Sequence, residues 1–152
     1  MIEIKHKETG RILHRVEADV FAGSDLNRAT VGTPGLTGAS LRNADLGLAD
    51  LAGVDASGAD IRGADLHGAH LFGTVLRNAD LREANLSYAN LYGADLRGAK
   101  LNSANLHGAW LGHADLSSAE LEGAHLLECR FDRETLWPAG VDPLARGAVL
   151  KD

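Results

Sequence analysis

The chain has a single cysteine, Cys129, among its 152 residues. No internal disulfide can form, so the fold needs no oxidising compartment. It has one methionine, and aromatic residues make up only 5%. A hydrophobic core therefore has to be built from leucine and alanine. No apolar run approaches the ~20 residues of a transmembrane helix. The stretch "MIEIKHKETGRILHRVE" alternates charge and aliphatics and lacks a signal-peptide core. A cytoplasmic location without membrane contact is the expectation. An excess of basic charge is also missing. Lys and Arg number 15 against 21 Asp and Glu, for a formal net charge of −6. Direct nucleic-acid binding needs clustered positive charge on phosphates, and this balance speaks against it. The chain carries no nucleophile elbow, no phosphate loop and no Cys or His pair at zinc-finger spacing. An enzyme, a cofactor and a metal site are not expected.

What is present is a period of five. In "ADLREANLSYANLYGADLRGAKL", residues 79–101, leucine recurs at every fifth position with alanine two before it. Neither the 3.6-residue period of a helix nor the two-residue period of a strand fits. With the leucine position as the centre, centres run from 26 to 131 in one register, 22 in all, and 18 are Leu. Val31, Ala56, Ile61 and Phe131 are the others. Two residues earlier, 17 of the 22 are Ala, the exceptions being Ser24, Pro34, Val54, Thr74 and Cys129. Just before the centre, 12 are Asp or Asn. Short polar side chains of that kind bond the local backbone at turns. Gly recurs two after the centre and suits corners. Positions 54 and 56 carry Val and Ala where Ala and Leu are usual. Large and small have exchanged places, the kind of swap a filled core tolerates.

This pattern resembles the pentapeptide-repeat family, whose motif reads A-(D/N)-L-x-x, over roughly residues 21–131. The flanks "IEIKHKETGRIL" and "WPAGVDPLARGAVL" are similar to a leader and a tail found on some members. The resemblance implies an all-β right-handed quadrilateral β-helix. Each pentapeptide forms one side of a square, and four sides make a coil. Two inward side chains per five residues likewise suit only a closed tube. At ~4.8 Å per coil the 22 centres make a shaft roughly 26 Å long.

Solenoids need caps, because terminal coils expose apolar axis and strand edges. Residues 1–20 are expected as a β-hairpin around Glu8-Thr9-Gly10, 21–132 as the β-helix, and 133–152 as a C-terminal capping segment. Within the last, "DRETL" and "DPLARGA" suggest short helical turns, with Asp142-Pro143 as a helix start. Trp137 and Leu136 are expected to plug the last coil, and Pro34-Gly35 to distort the first ones. Cys129, at an inward Ala position, is expected to be an inert core thiol.

In a four-sided coil, residues twenty apart stack. One face then collects Phe72 and Tyr92 in one column and His70, Asn90 and Trp110 in its neighbour, with Tyr88 and Leu48 at the adjoining corner. Segregated exposed aromatics mark an interaction surface or a ladder that only stabilises its own coils. The candidate interaction face is Phe72, Tyr88, Tyr92, Trp110 and His70. Arg42, Arg62 and Arg82 stack beside Asp60 and Asp80, and Arg77 and Arg97 beside Asp95 and Asp115, as solvated ladders. Asp25, Asp45 and Asp65 form an acidic stripe on another face. His67 and His107 share a column but lie two coils apart, too far for one zinc ion.

Three functions follow. The first is a non-catalytic structural or protein-interaction solenoid, binding an unknown protein partner or a second copy of itself. The second comes from the resemblance, since some members mimic B-form DNA and bind DNA gyrase, conferring quinolone resistance. The acidic stripe permits it. Between residues 21 and 131 the excess is only 13 acids against 8 bases, however, and the centres are Leu where the gyrase binders favour Phe. The third is a passive module of a larger particle.

Overall fold

In a computed structural model, residues 2–6, 12–16, 23, 29–31 and 35–152 are described. From residue 36 onward the backbone repeats one unit. The residue before each centre bridges in parallel to the residue twenty further on, from Ser40↔Asp60 to Trp110↔Arg130. Twenty residues per coil and five per side make a four-sided β-helix. Each side is stitched by the same bonds. The centre amide donates to the coil above (Leu46 N to Asp65 O, 2.7 Å), as does the corner amide (Leu48 N to His67 O, 2.9 Å). The residue before the centre donates to the coil below (Asp65 N to Ala44 O, 2.9 Å). A tight turn closes each corner, as in Ala49 N to Leu46 O, 3.0 Å.

The corner residue sits at positive φ, the geometry of a type II turn. Ten of these corners between 38 and 123 are glycine, but Asn43, Leu48, Asn78, Glu83, Tyr88, Ser103, His113 and Glu128 also hold φ between 55° and 62°. Several lean over a glycine one coil on. A Cβ at Gly68 would lie 2.8 Å from the Leu48 side chain, and one at Gly108 would lie 2.6 Å from the Tyr88 ring. Absence of a side chain in one coil thus makes room for a large one in the coil before.

The tube is filled by its own repeat. Leu centres and the Ala two before them are buried along its length. At the exchanged pair Val54 is 9% exposed and Ala56 3%. The void they share with Leu36, Leu51, Thr74 and Leu76 is only about 10 Å³, room for barely one water and apolar. Thr74, at an Ala position, satisfies its buried hydroxyl by donating to Leu51 O at 2.7 Å.

At the N-terminal end β1 (Ile2–His6) pairs antiparallel with β2 (Ile12–Val16) and on its other edge with β3 (Ala29–Val31). The expected turn at Glu8-Thr9-Gly10 and Pro34 lie outside the described residues. At the other end β4 (Arg130–Phe131) pairs in parallel with β5 (Val149–Leu150). The register slips before that. Asp115 bridges Leu136, one residue later than the twenty-residue rule. Thr135 therefore turns inward in place of residue 134 and donates to Leu111 O at 2.9 Å. Trp137 packs against the core edge-on to Phe131, at 5.5 Å between centroids. Leu136, expected as a plug, is displaced outward and is 53% exposed; the extra residue in the corner 132–135 is the cause.

The expected C-terminal helical cap is a single turn, and among the described residues there is no helix. Asp142 caps it by accepting from Ala145 N at 3.1 Å. Ala148 N reaches Pro143 O and Gly147 N reaches Leu144 O, with Gly147 at φ 83°. That is the Schellman closure, and it ends the turn so that β5 can pair. Arg146 then serves as the missing next coil, donating to Leu121 O at 3.1 Å and Ala124 O at 2.6 Å.

Candidate interaction face

Outward side chains at fixed positions make columns, and one side gathers the rings. Phe72 and Tyr92 are parallel within 1° at 5.7 Å between centroids. Tyr92 lies within 10° of Trp110 at 6.0 Å. His70, Asn90 and Trp110 bridge in succession, forming the adjoining column. Phe72 is 53% exposed and Tyr88 55%. Tyr88 stands at the corner between His67 and His107, edge-on to both at 5.7 and 5.2 Å. Phe72, Tyr92, Trp110 and His70 share these two adjoining columns, whereas Tyr88 packs edge-on between His67 and His107 at the corner.

Hydrogen bonds fix the histidine rings. His107 Nδ1 is 3.0 Å from Leu127 O, which only accepts, so Nδ1 carries the proton. Its Nε2 lies 2.9 Å from the Tyr88 hydroxyl, which can bond it as donor or acceptor. His67 Nδ1 meets Ser87 Oγ at 3.0 Å, and that hydroxyl donates onward to Asn85 Oδ1 at 2.7 Å. His67 is thus a donor to Ser87 and not its base. Two coils separate His67 from His107, with Tyr88 between. No group of three or more His, Cys, Asp or Glu converges among the described residues.

Three participants escaped the sequence reading. His113 stacks on Tyr92 at 4.8 Å and 27°. It sits at a corner, not in the ring column, and reaches across because Gly112 leaves the next rung empty. Asp132 holds it, accepting from the His113 amide at 3.0 Å and its Nδ1 at 2.7 Å. Burial raises the Asp132 carboxyl, but hydrogen bonds from His113, Thr135 and Glu134 outweigh it and bring the group down to about 2. Arg130 places its guanidinium carbon 5.6 Å from the Trp110 ring. Its place twenty residues after Trp110 is a signal the column arithmetic contains. Tyr92, Trp110, His113 and Asp132 line an open depression of 590 Å³ bounded by Arg133 and Lys151.

The charged columns are self-paired. Arg62 grips Asp60 through Nε at 2.8 Å and Nη2 at 2.6 Å, and Arg82 repeats this on Asp80. Arg97 does so on Asp95, which also takes Arg77. The bonded guanidinium holds each of these carboxyls below the ordinary value. In the acidic stripe Asp45 bridges Asp65, and they accept from Gly47 N and His67 N at 3.0 Å each. Asp25 lies outside the described residues. Beyond Asp65 the column turns neutral. Asn85 donates to Asp65 at 2.9 Å and Asn105 to Asn85 at 3.3 Å. Cys129 is buried, and burial pushes its thiol up to about 12.

A family model for pentapeptide repeats matches eight copies across residues 36–68, 64–102 and 99–133. The chain belongs to the pentapeptide repeat family. Its four-sided shaft is accordingly the right-handed quadrilateral β-helix of that family. Among solved structures it is similar to a pentapeptide repeat protein of the Arabidopsis thaliana thylakoid lumen. That match is 31% identical and covers 64% of this chain and 68% of that one, with a TM-score of 0.62. A Nostoc pentapeptide repeat protein is 42% identical over 74% of this chain and 84% of its own, with a TM-score of 0.40. QnrB1, a plasmid-mediated fluoroquinolone resistance protein, is 23% identical over 88% of this chain and 78% of its own, at 0.41. No curated protein matches this pentapeptide repeat chain.

Proposed function

We propose that this protein is a non-catalytic interaction solenoid that docks a protein partner on the face carrying Phe72, Tyr88, Tyr92, Trp110 and His70, its ends closed by the N-terminal strands and the C-terminal turn. The observation that carries the reading is the gathering of outward-facing rings on one side of a rigid shaft, with Phe72 exposed and Tyr92 and Trp110 half-buried beside it. A ladder that only stitched coils together would need no such exposure, whereas aromatic anchors on a stiff surface bind at low entropic cost. The non-catalytic part is supported by the filled tube and by the commitment of the Ser87 hydrogen to Asn85. The DNA-mimic alternative has less support. The stripe's carboxylates serve turn amides, and it passes into Asn85 and Asn105.

The test replaces Phe72, Tyr92 and Trp110 together with alanine and compares the variant with the wild type. Sedimentation velocity reads self-association, and quantitative affinity capture reads partners. Retention of the fold by circular dichroism with loss of association is expected. Equal association by a folded triple variant would remove this face from consideration.

A further inference from the structure

The column that runs through His70, Asn90 and Trp110 ends, toward the C-terminus, on Arg130. The guanidinium carbon lies 5.6 Å from the Trp110 ring centroid, within the range of a cation–π contact. Such stacking holds a guanidinium by its face and leaves its forked N–H edge available. Elsewhere on the shaft that edge is spent. Arg62, Arg82 and Arg97 each place Nε and Nη2 on the Asp two residues earlier, and Arg146 donates to two carbonyls. The Arg130 side chain makes no hydrogen bond and no ion pair among the described residues. The rungs on either side of it, 108–113 and 147–151, are described throughout.

Arg130 opens onto a depression of 370 Å³ lined by Tyr88, Gly108, Glu128, Val149 and Lys151. Local features of the chain make it. Gly108 puts no side chain at its corner, and Tyr88 leans over that corner from the coil before. On the other side β5 lays Val149 beside Arg130 and anchors Lys151 through its amide, which donates to Phe131 O at 2.7 Å. Lys151 also has no ion pair among the described residues. Arg130 and Lys151 are diagonal neighbours on adjacent strands, ~7–8 Å apart at the backbone, so their long side chains can meet one group between them. Glu128 is the acid lining this depression, and it stands 3.9 Å from His107 Nε2. Beyond Lys151 the carboxylates of Asp132 and Asp152 are engaged by His113 and Arg133, and Glu134 lines the larger depression.

We propose that Arg130 and Lys151 form a docking site for a glutamate or aspartate side chain of an acidic partner segment. The partner carboxylate takes the Arg130 fork in two parallel hydrogen bonds and accepts a third from Lys151 Nζ. The partner backbone lies over Val149 and Tyr88. The net charge of −6 repels acidic surfaces at long range, so binding depends on contact with this cation pair and not on steering. The site deepens the reading of the aromatic side as a docking surface and rests on it, adding a polar rim beside Trp110.

The experiment is an NMR titration of the full chain with acetyl-Gly-Glu-Gly-Glu-Gly-amide, with its glutamine counterpart and with inorganic phosphate. Saturable shifts centred on the Val149 and Gly108 amides and the Trp110 indole are expected. The glutamine peptide should bind at least ~10-fold more weakly, equivalent to about 1.4 kcal/mol. Arg130, Glu128 and Lys151 are all exposed, so variants there keep the fold. Arg130→Lys retains the charge but removes the fork, and should weaken the glutamate peptide ~5-fold, about 1 kcal/mol. Glu128→Gln should tighten it ~2-fold. Absence of saturable shifts, equal binding of the two peptides, or unchanged binding by Arg130→Lys would each overturn the proposal. Phosphate that moves the same resonances at lower concentration than the peptide would overturn the assignment to a carboxylate. A partner lost by the triple alanine variant but kept when Arg130 and Lys151 are both replaced by glutamine would overturn this site and leave the wider face reading standing.

Discussion

Gly108 and Gly73 occupy equivalent corners with nearly equal backbone angles, φ 65° and 62°, and differ in what lies over them. Alanine at Gly73 meets nothing within 4 Å, whereas at Gly108 its Cβ lies 2.6 and 2.7 Å from two Tyr88 ring carbons. Both substitutions carry the left-handed strain of an L-residue, ~1–2 kcal/mol. Only Gly108→Ala also displaces Tyr88. That forfeits the hydrogen bond to His107, ~0.5–1.5 kcal/mol, and the edge contacts with His67 and His107, ~0.5–1.5 kcal/mol. Tyr88 is 55% exposed, which argues for the lower half of each range. Gly73→Ala is therefore expected to cost ~1–2 kcal/mol and Gly108→Ala ~2–4 kcal/mol. Urea unfolding followed by circular dichroism measures both. In a Tyr88→Ala background the gap between them should close, because the clash has gone. A gap under ~0.5 kcal/mol in the wild-type background, below the resolving power of such additivity comparisons, would refute the claim that the tyrosine is seated on a glycine.

Other expectations follow from the ends, the ladders and the core. Arg146→Met should cost ~1–3 kcal/mol by orphaning the Ala124 carbonyl; hydrogen exchange should quicken at the C-terminal coil and not at the middle of the shaft. Asp60, Asp80 and Asp95 all titrate below their ordinary 3.8 in the folded state, so the stability they supply is present above that value and lost as pH falls through the depressed folded values. The melting temperature should hold from pH 7 to 5 and fall below 4, with a shallower fall in Asp95→Asn; an equal slope would place the acid sensitivity elsewhere. Cys129, with its thiol raised to about 12 by burial, should resist a disulfide reagent at pH 8 until urea opens the shaft, and immediate stoichiometric labelling would contradict its burial.

The five-residue period pointed to a closed tube, and the family resemblance it carries implied the four-sided β-helix. Once four sides make a coil, every lateral contact falls at a separation of twenty, so columns follow from arithmetic. Phe72 beside Tyr92 and Asn90 under Trp110 were legible for that reason. So were the core positions, because a closed tube leaves the centre and the residue two before it no other direction. The arithmetic fails where a side chain leaves its column or the register slips. His113 crosses to Tyr92 because its corner angle and the missing side chain of Gly112 permit it, and both depend on the three-dimensional neighbourhood. Tyr88 looked like part of the Phe72 face, but the space above Gly108 turns it toward His67 and His107. One extra residue between Asp132 and Leu136 exchanges the roles of Leu136 and Trp137, a local choice between equally apolar candidates. Periodicity determined the frame through contacts at a fixed sequence separation. Tertiary structure decided the face, because rotamers and a single-residue bulge answer to whatever space the neighbouring coil has left.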